Sequence, residues 1–458
     1  MSPAVSEWST TLRLLEVTRV KLLLRRRSDM SSEGTIPTFK AFVSHVFVTL
    51  SHLKILKNSN SSKSTKIIDT CGTTCLLMLN FLLVVSEAID VKNSYDLPSF
   101  AARFNPLLFH LLGLIKWTYC LTHLADIEKL IVNMELCHEM CQKIDSNDED
   151  KGRYRMKMTD CQRSSKLFVN IWLLVCVFGV VQWCANPIIY DLYDDLYGER
   201  SINSTFSRHL PYPGCFPWEM NNLFMYIIYF TFQFVGGIGA GIGIGAYDIL
   251  SITFIMYTCI HLDYLSETLS ASEERICYRD RSSKSHSFER KLKSCLEHHN
   301  QILEVFEKIK TITSFPLLVQ CLDTIIGLCL VSLEASTTEI NSGVECLMKL
   351  LSTAEYWSGI NIELFFYCYF ATKICEMGAG ISDAFYCCKW EQSAGENESN
   401  SLQRIKENKM VAMGIMRAQK PMEIAGGPFY VLSLKTFRTL TSMSLSNALI
   451  LRQLSNQD

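Results

Sequence analysis

Apolar residues in this chain gather into seven long runs, at 72–91, 104–125, 166–189, 221–246, 312–333, 344–372 and 428–451, separated by polar stretches. A helix needs about 20 mostly apolar residues to cross the hydrocarbon core of a bilayer. The pattern therefore predicts an all-α membrane protein with seven transmembrane helices. An eighth apolar piece, Ala41 to Leu56, is shorter and interrupted by His45, His52 and Lys54. It reads as an amphipathic helix at the membrane interface.

The connecting segments alternate in charge. Eleven Lys or Arg precede the first run, eight lie between Lys129 and Lys166, nine lie between Arg275 and Lys310, and the segment after the sixth run adds more. The intervening segments hold only Lys92 and Arg103, then Arg200 and Arg208, then none. Lys and Arg are retained on the cytoplasmic side, so the N-terminus is predicted inside the cell and the C-terminus outside. A seven-helix G-protein-coupled receptor has the opposite orientation, and neither an Asp-Arg-Tyr nor an Asn-Pro-x-x-Tyr motif is present. Leu22 to Leu24 is too short for the core of a cleavable signal and is followed by Arg25 to Arg27, so the first span is expected to serve as a signal anchor.

Composition narrows the function classes. With 48% hydrophobic residues, 20% charged residues and a net charge of −2, no concentrated basic face for nucleic acid is expected. Most of the nineteen cysteines fall inside spans or on the reducing side, where buried free thiols are expected rather than a disulfide framework. Cys184, Cys215 and Cys346 are the ones placed to meet an oxidising space. The sequon Asn203-Ser204-Thr205 lies in a predicted outer loop, which makes Asn203 a glycosylation site.

No enzyme-like pattern holds up. The glycine run from Gly236 to Gly245 lies within an apolar span, without the preceding strand and following Lys-Ser or Lys-Thr of a phosphate loop. Gly237, Gly241 and Gly245 instead predict a helix face for close helix packing. Cys137, His138 and Cys141 share one stretch of helix without a second ligand pair at zinc-like spacing, and His298-His299 stands as an isolated doublet. No catalytic set, cofactor or metal is expected. Lys116, Asp323, Glu363 and Lys373 are charged residues inside apolar runs, and their cost in hydrocarbon predicts that they face the bundle interior.

Several short motifs, taken in order, resemble those of insect odorant receptors. They are His299-Asn300-Gln301-Ile302-Leu303 and Ser314-Phe315-Pro316-Leu317 before the fifth span, and Phe365 to Phe370 within the sixth. Ser382-Asp383-Ala384-Phe385-Tyr386-Cys387-Cys388-Lys389-Trp390 follows. The tail adds Met416 to Pro421, Gly426-Gly427-Pro428 and Leu432-Ser433-Leu434-Lys435-Thr436-Phe437, ending at Leu451-Arg452-Gln453. The resemblance covers about residues 72–454. The chain departs from the family pattern in a longer N-terminal segment and a polar insertion from Ser393 to Asn400. Without the loop expansions of the co-receptor, it looks like an odour-tuning subunit.

The resemblance implies a ligand-gated cation channel of four subunits, built with the odorant receptor co-receptor, in the plasma membrane of a sensory neuron dendrite. A volatile odorant would bind in the outer half among the second, third, fourth and sixth helices. Residues at matching depth are Phe109, Phe178, Trp183, Phe232, Tyr356, Trp357 and Ile360. The last helix would line the pore, with Ile450 and Leu454 as the apolar gate and Ser446 and Gln453 as polar neighbours. The implied organisation is a cytoplasmic N-terminal segment (1–71), helices one to four (72–265), a cytoplasmic helical anchor (266–311), helices five and six (312–390), a loop with an anchor helix (391–427), and the pore helix with its outer tail (428–458). Membrane lipid is the surrounding partner. A gustatory-type receptor shares this architecture; a secondary transporter would need an inverted repeat, which the seven runs do not supply.

Overall fold

A computed structural model describes residues 37–53, 63–146, 152–197, 208–270, 281–337, 344–388, 390 and 401–455. Each of the seven apolar runs lies mostly or wholly on one helix: α3 (Lys63–Val91), α4 (Leu97–Thr122), α6 (Arg153–Tyr197), α7 (Leu223–Ser270), α8 (Arg281–Thr337), α9 (Val344–Tyr386) and α11 (Leu434–Ser455). Two short helices, α1 (Phe39–Phe42) and α2 (Ser44–His52), occupy the region read as interfacial. Phe39, Phe42, Val46 and Leu50 are buried, while Val48 faces out. The remaining helices are α5 (Leu124–Ser146) and α10 (Ser401–Ala418).

The helices α3, α6, α7 and α8 contain stretches apolar enough to cross a bilayer, and α4 with α5 forms a fifth such unit bent by 67°. The bend falls at His123, which caps α4 through its backbone N–H to the Tyr119 carbonyl, 3.1 Å away. At the other end of α4, Asp96 accepts a hydrogen bond from the Ser99 backbone N–H at 2.7 Å, and a proline sits in the first turn. That combination starts a helix with its free amides satisfied. The helices α9 and α11 are more polar because α9 carries Lys349, Glu355, Glu363 and Lys373, and α11 is rich in Ser and Thr.

Several helices are much longer than a bilayer requires. The 48 residues of α7 and the 57 of α8 extend about 70 and 85 Å at 1.5 Å per residue, against a hydrocarbon core of about 30 Å. Their excess length continues as packed helices. There α5 lies along α8, and α10 lies against α8 and α9. Ile302, Val305, Phe306 and Ile309 of α8 are buried in this region. The helical periodicity of these residues is that of an amphipathic stripe.

The tail motifs converge on one junction. Ala425–Gly426 pairs antiparallel with Tyr430–Val431, and Gly427, in the left-handed conformation at φ 61°, makes the turn. The Gly427 N–H donates to the Ser314 carbonyl at 3.0 Å. A side chain on Gly426 would come within 2.9 Å of the Leu317 carbonyl oxygen, so only glycine lets the turn sit this close to α8. Arg417 donates to the Asn300 side chain. Motifs more than a hundred residues apart in sequence thus hold α8, α10 and the start of α11 together.

Candidate ligand-binding cavity

Residues three or four apart on α4, α6 and α9 face a common cavity of about 90 Å³. Asn105, Phe109 and Leu112 come from α4, and Trp172, Cys176, Gly179 and Trp183 from α6. Tyr356, Gly359, Ile360 and Glu363 come from α9, with Ile244 from α7. Two contributors come from outside the four helices expected to line the pocket: Tyr212, from the connection between α6 and α7, and Asp323 of α8. Asp323 carried a signal as a charge within an apolar run; Tyr212 carried none, because its position depends on how a loop folds back.

Of the residues singled out in the sequence, Phe109, Trp183, Tyr356 and Ile360 come together in the cavity wall. Phe178, Phe232 and Trp357 are not part of that wall. Successive helical residues are about 100° apart around the axis, so Phe178 and Trp357, each next to a wall residue, turn outward and are 53% and 38% exposed. Phe232 packs instead with Phe216, at 6.3 Å between ring centroids, beside the core cluster of Leu83, Val180, Cys184 and Tyr212. Asn203 lies outside the described residues.

The wall is aromatic and apolar with a few fixed polar groups. The Trp183 indole N–H donates to Glu355 at 3.1 Å, and the Tyr356 hydroxyl donates to the Asn105 carbonyl at 3.2 Å. One carboxylate oxygen of Asp323 is buried without a hydrogen-bond partner among the described residues. Buried polar atoms of this kind cost stability unless something pairs with them. A wider cavity of about 720 Å³ shares Asn105, Trp183, Tyr212 and Tyr356 with the first, and beyond these it is lined by groups such as Arg103, Arg208, His209 and Lys349. The shared residues stand between this more polar vestibule and the apolar chamber.

Charges within the spans form a buried cluster that reaches the chamber wall at Glu363. Lys116 of α4 is fully buried and pairs with Asp248 of α7 at 2.7 Å and with Glu363 of α9. The Tyr367 hydroxyl donates to Asp248 at 2.6 Å. A second buried pair joins Glu87 of α3 to His110 of α4 at 2.9 Å. Asp248 was not apparent from its sequence neighbourhood, since it falls just past an apolar run.

On α11, Leu440, Ser444 and Ala448 form a buried face, and the Ser444 hydroxyl donates to the Leu440 carbonyl at 2.9 Å. Ser446, Ile450 and Gln453 fall on the other side and are exposed. Leu454 belongs to the same helix, but its side chain is outside the described set. The cavity helix α9 reaches α11 directly: Phe365 meets Phe437 edge-on at 5.7 Å, and the Leu434 N–H donates to the Thr372 hydroxyl at 2.9 Å. Among the described cysteines no disulfide is formed, and Cys215 is exposed.

Residues 96–445 match the family model described as 7tm Odorant receptor. The chain is 25% identical over 304 residues to odorant receptor 67c of Drosophila melanogaster, a match covering 65% of this chain and 67% of that protein. A shorter match, 26% identical over 163 residues, covers 36% of this chain and 31% of the odorant receptor coreceptor of Harpegnathos saltator. The fold is similar to the solved olfactory receptor OR5 of Machilis hrabei in complex with eugenol, at a TM-score of 0.70 and 13% identity. That likeness covers 91% of this chain and 98% of the other.

Proposed function

The chain belongs to the 7tm odorant receptor family, and we propose that it is an odour-tuning subunit of a ligand-gated, non-selective cation channel. The observation that carries this reading is the mechanical continuity of α9, which walls the aromatic cavity through Tyr356, Ile360 and Glu363 and packs on α11 through Phe365. A volatile ligand binds by shape and dispersion against Phe109, Trp183, Tyr356 and Ile360. A hydroxyl on the ligand would satisfy the unpaired oxygen of Asp323. With the N-terminus inside, the polar vestibule opens outward and admits the ligand past Trp183 and Tyr212.

The exposed face of α11 supports its assignment as the pore helix. A helix whose Ile450, Ser446 and Gln453 stay uncovered in one subunit has a face left for an aqueous path. Ile450 and Leu454 act there as an apolar constriction that opens on wetting. Four subunits, this chain together with the co-receptor, enclose the path, and the long extensions of α7 and α8 with α10 serve as the anchor between them. The region of similarity to a co-receptor supports a shared assembly mode.

Whole-cell recording under a panel of volatile ligands tests the reading. Odour-evoked cation current is expected when this chain is expressed with the co-receptor and absent when the co-receptor is expressed alone. Ile360→Trp, which fills the cavity, is expected to raise the half-maximal ligand concentration at least about tenfold, equal to about 1.4 kcal/mol. Unchanged sensitivity in that variant, at normal surface level, would move the ligand elsewhere. Ile450→Ser is expected to raise the ligand-free current severalfold by wetting the constriction. A silent baseline in the serine variant would remove Ile450 from the gate.

A further inference from the structure

Three residues far apart in sequence meet where the extensions of α5, α7 and α8 pack together. Cys141, His261 and His298 are each buried, and one ligand atom from each falls within 4.8 Å of the others. The Cys141 Sγ lies 3.3 Å from Nδ1 of His261 and 3.2 Å from Nε2 of His298. The two imidazoles are 5.5 Å apart and steeply inclined at 73°. The sulfur is also 4.0 Å from Nδ1 of His298, so it lies to the side of the Nε2 lone pair, where an ion held by that nitrogen could also reach the sulfur.

We propose that Cys141, His261 and His298 form a zinc site that ties α5, α7 and α8 together beyond the bilayer. The reading is independent of the odorant cavity, which is lined mainly by α4, α6 and α9 and touches α7 and α8 only at Ile244 and Asp323. Zinc takes sulfur at about 2.3 Å and imidazole nitrogen at about 2.0 Å in tetrahedral geometry, which sets ligand sulfur and nitrogen about 3.5 Å apart. The observed sulfur-to-nitrogen distances need to open by only a few tenths of an ångström to admit the ion. Binding replaces the thiol proton of Cys141 with a Zn–S bond and releases that proton to solvent, while both rings bind as neutral imidazoles through their lone pairs.

The surroundings suit neutral rings. Both rings are enclosed by protein, and burial away from water favours the neutral imidazole that binds a metal. Among the described residues the second ring nitrogen of His261 has no hydrogen-bond partner, so the polar contact seen for that ring is on its sulfur-facing side. A thiolate and two neutral imidazoles leave the fourth zinc position to a small oxygen ligand. Tyr154 of α6 is fully buried beside this point, with its ring 5.9 Å from that of His261.

Structural zinc contributes folding free energy directly, and three ligands from three helices make this a cross-link rather than a local clip. In sequence the ligands are separated by 120 and 157 residues from Cys141, far beyond the short ligand spacings of zinc-finger-type motifs. That is why Cys141 and the His298-His299 doublet each looked isolated.

The test uses the full-length receptor purified in detergent, stripped of metal and titrated with Zn2+. One tight equivalent per chain is expected, lost in Cys141→Ser and in His298→Gln but kept in His299→Gln, whose ring faces Phe385 instead. X-ray absorption of the zinc-loaded wild type is expected to resolve one sulfur at about 2.3 Å and two or three nitrogen or oxygen ligands at about 2.0 Å. This reading needs no variant, so it stands even if Cys141→Ser misfolds. No tight equivalent, an equivalent retained in Cys141→Ser, or a shell without sulfur or with several sulfurs would overturn the site. In the first of these cases the three side chains are a hydrogen-bonded packing cluster.

Discussion

Lys116→Met is expected to abolish surface delivery of the receptor. The ammonium is fully buried between the carboxylates of Asp248 and Glu363, and methionine fills a similar volume without the charge. Two carboxylates are then left together in a water-poor interior, an arrangement that costs about 3–5 kcal/mol when one partner of a buried ion pair is removed. Folded proteins are stable by only about 5–15 kcal/mol, so most of the margin disappears. Thermal unfolding in detergent, followed by size-exclusion profile, should show a large fall in midpoint. Neutralising all three members, as Lys116→Met with Asp248→Asn and Glu363→Gln, is expected to recover much of the loss, because uncharged groups carry a far smaller burial cost. A single Lys116→Met variant as stable as the wild type would mean that the ammonium does not balance the two acids.

The second large effect is expected at Gly243. Helices α4 and α7 cross with backbone against backbone: a methyl group on Gly243 would lie 2.1 Å from the Gly113 carbonyl oxygen, and one on Gly113 would lie 2.5 Å from that of Ala240. Neither obstacle is a side chain that can swing away, so Gly243→Ala must force the helices apart. Overpacking in a tight core costs about 1–3 kcal/mol and sometimes more, and contact with rigid backbone places this change at or above the top of that range. Gly72→Ala and Gly380→Ala serve as controls, since a methyl group at either meets nothing within 4 Å. They are expected to be neutral or to gain up to about 1 kcal/mol from helix propensity. Equal melting behaviour for Gly243→Ala and the controls would refute the close crossing.

The glycine run illustrates how far sequence reading reaches. A helix face for close packing was legible in it, but the expected face, Gly237, Gly241 and Gly245, is not the tightest one. Gly241 and Gly245 meet Val180 and Cys176 side chains at 3.4 and 3.5 Å, ordinary contact distances, and Gly237 meets the Tyr212 hydroxyl. The backbone crossing uses Gly243 and Ala240 instead. A run with glycine at nearly every second position offers small residues on several faces, and only the neighbouring helix selects among them.

The cavity has the same lesson in another form. Phe109, Trp183, Tyr356 and Ile360 line it, whereas Phe178 and Trp357, at similar depth, turn away. Hydropathy reports depth along a span. It does not report which side faces the bundle when every side is apolar, because lipid and protein interior are equally tolerant of such residues.

The sequence by itself determined the helical segments, their order and the asymmetry of basic residues between alternate connections. It also carried the motifs that identify the family. These properties are local: a helix satisfies its own backbone, and an apolar run of sufficient length partitions into hydrocarbon whatever its neighbours do. Tertiary structure alone decided which faces meet. It joined Lys116 to Asp248 and Glu363, laid the Gly427 turn on Ser314, brought Tyr212 into the cavity wall, and gathered Cys141, His261 and His298 from three helices. Each of these depends on helix rotation and crossing, set by side-chain packing between distant segments, and a one-dimensional pattern does not contain that information.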